Sequence, residues 1–192
     1  MIDKKFFSKL KKDYIGFDAN RRVVISKSND ILKLSKQAIF ALHRNEIKQA
    51  DTALKECERL HKSLQSLFKK DKKLEFQGAY EAGMEEYAEA RLFYNYIRYK
   101  RVTGIKEIAL SNDAYIGGLS DFTGELVRYA TREATKNHID EVQKVYDTVE
   151  KIIQQLLLMN IVGSLRNKYD QATNNLRKLE GMLYDITLKQ RS

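Results

Sequence analysis

The chain has 192 residues, no proline, no tryptophan and one cysteine, with 35 Lys and Arg against 26 Asp and Glu for a formal charge of +9. Ordinary usage of about 5% proline would supply roughly ten, so Pro-rich linkers and polyproline recognition segments are excluded and the strongest helix breaker is missing. The lone Cys57 excludes an internal disulfide framework and a cysteine-based zinc site, and so basic a balance points to a polyanionic partner, either nucleic acid or an acidic membrane surface.

The apolar period is helical almost throughout, and no stretch alternates with period two, so the expected fold is all-α. A first helix is expected over residues 4–43, loosened near 16–20. Its start mixes Lys4, Lys5, Lys9, Lys11 and Lys12 with Phe6, Phe7 and Leu10 and lacks the apolar core of a signal peptide. It reads as the first turns of a solvated helix, with an interfacial anchor as the alternative.

A second helix is expected over residues 46–69, on the stripe Ala50, Ala53, Cys57, Leu60, Leu64 and Leu67. The third is expected over 72–101, and a short one over 105–110. Further helices are expected over 113–136, over 139–159 (Ile139, Val142, Tyr146, Val149, Ile153, Leu156) and over 165–189 (Leu165, Tyr169, Ala172, Leu176, Leu179, Leu183, Ile186). Cap and turn residues separate them: Asn45, Thr103–Gly104, Ser111–Asn112, Asn137–His138 and Gly163–Ser164. One apolar seam per helix predicts a bundle of six to seven mostly long antiparallel helices, one domain over residues 1–192. No apolar run approaches the ~18 residues of a membrane span. The single cysteine suits a reducing cytoplasm.

Few residues offer chemistry. Glu58 and His61 make one Glu-x-x-His pair, but a di-iron bundle needs two, so they read as a surface pair. Cys57 lies on an apolar seam and reads as core. There is no phosphate-binding loop, dinucleotide glycine pattern or nucleophile elbow.

The carboxylates say more. Glu86 and Glu89, three apart, share a helix face with Ala82, Ala90, Phe93 and Ile97, where burying two acids is costly unless a cation compensates them. Glu81 and Glu85 read as solvated charges. Asp121 and Glu125, four apart, share a face with Ala114, Gly117, Gly118, Gly124, Arg128 and Arg132, opposite an apolar side of Tyr115, Leu119, Phe122, Leu126 and Ala130. Glycine inside a helix costs about 1 kcal/mol against alanine, so three on one face suggest close approach of a backbone or a ligand. Convergence of the two acidic pairs would suit Mg²⁺ or Mn²⁺, which prefer oxygen ligands and support phosphodiester hydrolysis.

The stretch Tyr115-Ile-Gly-Gly-Leu-Ser-Asp-Phe-Thr-Gly-Glu-Leu-Val-Arg128 resembles the signature of the translin family, in its translin-associated factor X branch. Three more segments match in order. They are Asn29-Asp30 through Ser35-Lys36 to Ala41-Leu42-His43-Arg44, then Glu86-Tyr-Ala-Glu-Ala-Arg-Leu-Phe93, then Leu165-Arg-Asn-Lys-Tyr-Asp170 followed by 179–186. The resemblance runs from about residue 20 to 190. It implies an all-helical subunit of an octameric barrel that binds single-stranded RNA and DNA. In the factor X branch an acidic cluster gives metal-dependent endoribonuclease activity. By this resemblance the catalytic and metal-binding acids fall on Glu86, Glu89, Asp121 and Glu125.

Translin's basic, His-containing stretch before the acidic helix has no counterpart in Glu75-Phe-Gln-Gly-Ala-Tyr80, whereas the last helix looks more like translin's. Features of both branches in one chain suggest a homo-oligomer. Arg128, Arg132, Arg91, Arg98 and Arg101 are candidate RNA-phosphate contacts. Tyr94, Tyr96 and Tyr99 are candidate stacking platforms, with core packing the alternative. The expectation is therefore an endoribonuclease on single-stranded RNA that uses Mg²⁺ or Mn²⁺ and no side-chain nucleophile. A non-catalytic nucleic-acid scaffold is the first alternative, and a membrane-surface or adaptor protein the second.

Overall fold

A computed structural model describes residues 2–191, so Met1 and Ser192, the ends of the expected domain, lie outside the described residues. It holds six α-helices, α1 (Lys4–His43), α2 (Ile47–Phe68), α3 (Gly78–Tyr99), α4 (Asn112–Thr135), α5 (Ile139–Leu158) and α6 (Ser164–Arg191), with a 3-10 turn over Lys72–Phe76 and no strand among the described residues.

Local chemistry sets the ends. Asp3 accepts from the Lys5 and Phe6 amides at the start of α1, and Ser111 from Ala114 at the start of α4. The chain leaves α1, α4 and α5 through Asn45, Asn137 and Asn160, all at positive φ, and Gly163 at φ 67° precedes α6. Lys100, also at positive φ, ends α3. Its ammonium lies 2.7 Å from Glu141 and over the rings of Tyr96 and Tyr129.

Three expectations need correction. α1 runs unbroken through residues 16–20, where Gly16 has open space around it and Phe17 packs on the core as part of the same helix. The third helix starts at Gly78 rather than 72, after the short turn that Asp71 caps. Residues 105–110 are irregular, with a bend at 107–108, and form no helix. A stretch of six residues is marginal as a helix on its own, and Ile108 alone is buried there.

α3 is the central helix. It packs on α1 along one side and on α4 along the other; α2 covers α1, and α5 and α6 cover α4. One contiguous core runs through these contacts, with Tyr87, Phe93, Tyr96 and Phe122 among its largest buried side chains. Truncating such an aromatic costs about 3–5 kcal/mol. The start of α1, residues 2–16, is exposed, as a solvated helix start would be. No helix among the described residues is long and apolar enough to cross a membrane.

Glycine lets α3 approach both neighbours. A Cβ on Gly83 would lie 2.9 Å from the Ser28 carbonyl oxygen of α1, and one on Gly118 would lie 2.6 Å from the Glu85 carbonyl oxygen. The expected close approach at the α4 glycines is thus real at Gly117 and Gly118, where α3 fills the space. At Gly124 the nearest atom, of Asn175, is at an ordinary 3.5 Å.

Candidate acidic site at the junction of four helices

The close approach of α3 to α4 brings the two acidic pairs into one electrostatic cluster. Burial pushes the Glu89 carboxyl up to about 9, and the charges of Glu86, Asp121 and Glu125 push the same way, with Lys168 opposing them. Glu86 is also raised, first by burial; Lys36, whose Nζ lies 3.8 Å away, pulls against that and Asp121 adds to it. Among the neighbours expected on the face of Glu86 and Glu89, Ala90 and Phe93 are buried but Ala82 is exposed.

Two of the acids have partners from helices distant in sequence. Glu125 is hydrogen-bonded to Nε2 of His43, at the last turn of α1, while Nδ1 of that buried imidazole has no partner. Asp121 accepts from Lys168 of α6 at 2.5 Å, and the same ammonium reaches Glu85 at 2.8 Å. Glu85 is therefore no free solvated charge. Gly117 leaves it room, since a Cβ there would sit 2.1 Å from Glu85 Oε2. Glu81 accepts from Ser111 at 2.7 Å.

His43, Glu85 and Lys168 are the site residues that sequence reasoning missed as such. The i, i+4 spacing of Glu85 and Glu89 was the available signal for one of them. His43 and Lys168 join the site only because α1 and α6 end beside it.

Four carboxylates offer hard oxygen donors that suit a divalent ion such as Mg²⁺ or Mn²⁺, and the raised Glu89 reflects a site short of positive charge. With Asp121 turned to Lys168 and Glu125 to His43, no group of three or more acid, His or Cys side chains among the described residues is already set to hold a metal. The donor set thus fits the ion in kind, and loading it requires Asp121 to exchange its ammonium partner for the ion.

The other expected residues divide. Arg128 is on the acidic face, half-exposed, 3.8 Å from Glu125 and over the Phe40 ring. Arg132 is exposed at the rim of a pocket that His43, Tyr129 and Lys136 also line. Arg91 is 12% exposed and ion-paired with Glu107 and Glu58. Arg98 is exposed and stacks over Tyr94 and Tyr99. Arg101 lines a separate surface pocket with Tyr99 and Lys106. Tyr94 and Tyr96 are core, while Tyr99 is 57% exposed.

Glu58 and His61 are not a surface pair. His61 is buried against Tyr80 and Gln65, and Glu58 accepts from Tyr87. Cys57 is core, its thiol pushed up to about 11 chiefly by burial.

A proline-free helical bundle with carboxylates gathered between its central helices and cationic side chains around them is the class that fold and site define. Residues 19–190 match the model of the Translin family, and the chain belongs to that family. It is 25% identical to the Translin-associated protein X homolog of Schizosaccharomyces pombe over 199 aligned residues, 93% of this chain and 86% of that protein. The crystal structure of apo-NeC3PO is similar with a TM-score of 0.85 at 26% identity, covering 96% of this chain and 97% of that one. AfC3PO in a duplex RNA complex has a TM-score of 0.88 at 19% identity, over 97% and 98% of the two chains, a likeness of fold alone.

Proposed function

We propose that this chain is a metal-dependent endoribonuclease that binds and cleaves single-stranded RNA, working as a translin-like homo-oligomer in the cytoplasm. The observation that carries the reading is the convergence of Glu86, Glu89, Asp121 and Glu125 from two helices into one partly buried, mutually repelling set. Acids placed so at a cost to the fold are candidates for a functional role, which supports this reading. The matches to a Translin-associated protein X homolog and to C3PO structures support the class, and AfC3PO provides an example of this fold in complex with duplex RNA.

In this reading Glu86, Glu89 and Asp121 would hold Mg²⁺ or Mn²⁺, and Glu125 would complete the set or orient the attacking water. The ion, when bound, offsets phosphate charge and makes water a better nucleophile. His43 positions the Glu125 carboxylate, which would accept a proton from a water attacking phosphorus in line while the opposite P–O bond breaks and the departing ribose oxygen takes a proton from solvent. Arg128, and Arg132 beyond it on the same helix, hold backbone phosphates. The net charge of +9 draws in a polyanion that the acids alone would repel.

Exposed Leu157, Leu158, Met159 and Val162, clustered where α5 ends, support assembly with other subunits. Octamers follow from the family resemblance, and a mass measurement giving a stable monomer would contradict them. Incubating end-labelled single-stranded RNA with the protein in Mg²⁺ and in EDTA tests the activity: internal cleavage in Mg²⁺ alone is expected.

The occupied partners of Asp121 and Glu125 favour one second reading, a non-catalytic scaffold for single-stranded RNA or DNA. It gives salt-dependent binding with intact RNA in both tubes.

A further inference from the structure

The ammonium of Lys168 is the closest cation to the acidic set, and its setting is built rather than incidental. It stands in the second turn of α6 and contacts Asp121 Oδ2 at 2.5 Å and Glu85 Oε1 at 2.8 Å. Gly117 clears the space Glu85 needs to reach it. Lys36 and Arg128, the other cations near the set, lie 3.8 Å from Glu86 and from Glu125 on side chains 54% and 48% exposed, against 30% for Lys168.

We propose that Lys168 is a resident counter-ion that competes with the divalent cation for Asp121 and must release that carboxylate before the site loads, Glu85 retaining the ammonium after release. This rests on reading the four acids as metal ligands. An ammonium and a divalent ion on one carboxylate repel each other, so the ion binds more tightly once the ammonium has moved off Oδ2. The four-carbon stem of lysine lets the ammonium move without backbone change, and Glu85 already holds one of its three donors. The site thus keeps a satisfied resting state in which α3, α4 and α6 are tied at one point, and loading it loosens the α4–α6 tie.

The test is Mn²⁺ binding to the full chain without RNA, by titration calorimetry. Lys168→Met is expected to bind Mn²⁺ about tenfold tighter than wild type, within the range by which a ligand's outer partners tune metal affinity. Lys168→Gln, which keeps a donor for Asp121 but no charge, shifts the same way, and Lys168→Arg stays near wild type. Arg166→Gln removes a cation of the same helix turn whose partner is Asp170 at 3.0 Å, and leaves affinity unchanged. Circular dichroism confirms that each variant is folded, and the two neutral variants guard against one that is not.

Wild-type binding with no tightening in either neutral variant overturns the inference and leaves the ligand reading standing. Equal tightening in Arg166→Gln overturns it as a general charge effect. No Mn²⁺ binding by any form overturns both readings.

Discussion

The imidazole of His43 on α1 and the carboxylate of Glu125 on α4 are hydrogen-bonded across the helix junction, with the His43 side chain only 2% exposed. The Phe93 ring, 4.8 Å away, holds the imidazole in place. An ionised carboxylate only accepts, so Nε2 donates and Nδ1 is left facing no partner. His43→Ala should lower RNA cleavage by roughly 10–100-fold, the usual cost of losing a partner that orients a metal ligand. His43→Gln, whose amide can donate to Glu125, should recover part of the loss. Equal losses in both variants would point to packing instead of orientation.

The raised Glu89 carboxyl gives a pH dependence with a definite sign. Between its ordinary value of 4.5 and about 9, the folded chain keeps a proton that the unfolded chain gives up. The unfolded state then binds fewer protons, so this group makes stability fall as pH rises through that window. Glu89→Gln removes that slope. Urea midpoints in EDTA at pH 5, 7 and 9 should show the variant gaining on wild type toward pH 9. Parallel curves would contradict the placement of Glu89 among the other acids.

Gly118 and Gly181 should respond to alanine in opposite directions. At Gly118 the new Cβ meets backbone, 2.6 Å from the Glu85 oxygen and 2.9 Å from the Glu89 nitrogen, so α3 and α4 must part. Overpacking costs about 1–3 kcal/mol, more than the ~1 kcal/mol that alanine gains in a helix. Gly181 in α6 has nothing within 4 Å, and alanine there should stabilise by about 0.5–1 kcal/mol. Denaturant midpoints measure both.

Arg128, half-exposed beside Glu125, should contribute to RNA affinity through phosphate. Arg128→Ala should weaken binding similarly for all sequences and flatten the slope of log K against log salt by about 0.7, the single-strand value for one lost phosphate contact. Arg91, tied to Glu107 and Glu58, should change neither slope nor affinity. A steeper loss from Arg91→Ala would mean that RNA opens that ion pair.

Helices were legible because an apolar period of 3.6 survives without proline, and because Asn45, Asn137 and Gly163 mark ends at which the backbone takes positive φ. The turn at Lys72–Phe76 and the irregular segment 105–110 were not, since short segments take their shape from what they pack against. At the site, each acidic pair could be placed on its own helix face by counting. That the pairs converge depends on Gly117 and Gly118 letting α3 come close, which glycine content on one face foreshadowed. His43 and Lys168 were out of reach as partners of these acids. Nothing in local spacing says that the last turn of α1 and the first turns of α6 end beside Glu125 and Asp121.

The most direct test of the acidic set is Glu89→Gln, which changes one oxygen donor to an amide inside the cluster and keeps the side chain's shape. Cleavage of a labelled single-stranded RNA is followed in Mg²⁺ with protein in excess, and RNA binding is measured in the same samples. The result expected is binding equal to wild type or tighter, as one buried acid is removed, with cleavage at least 100-fold slower. Cleavage at the wild-type rate, or cleavage that persists in EDTA, would contradict the assignment.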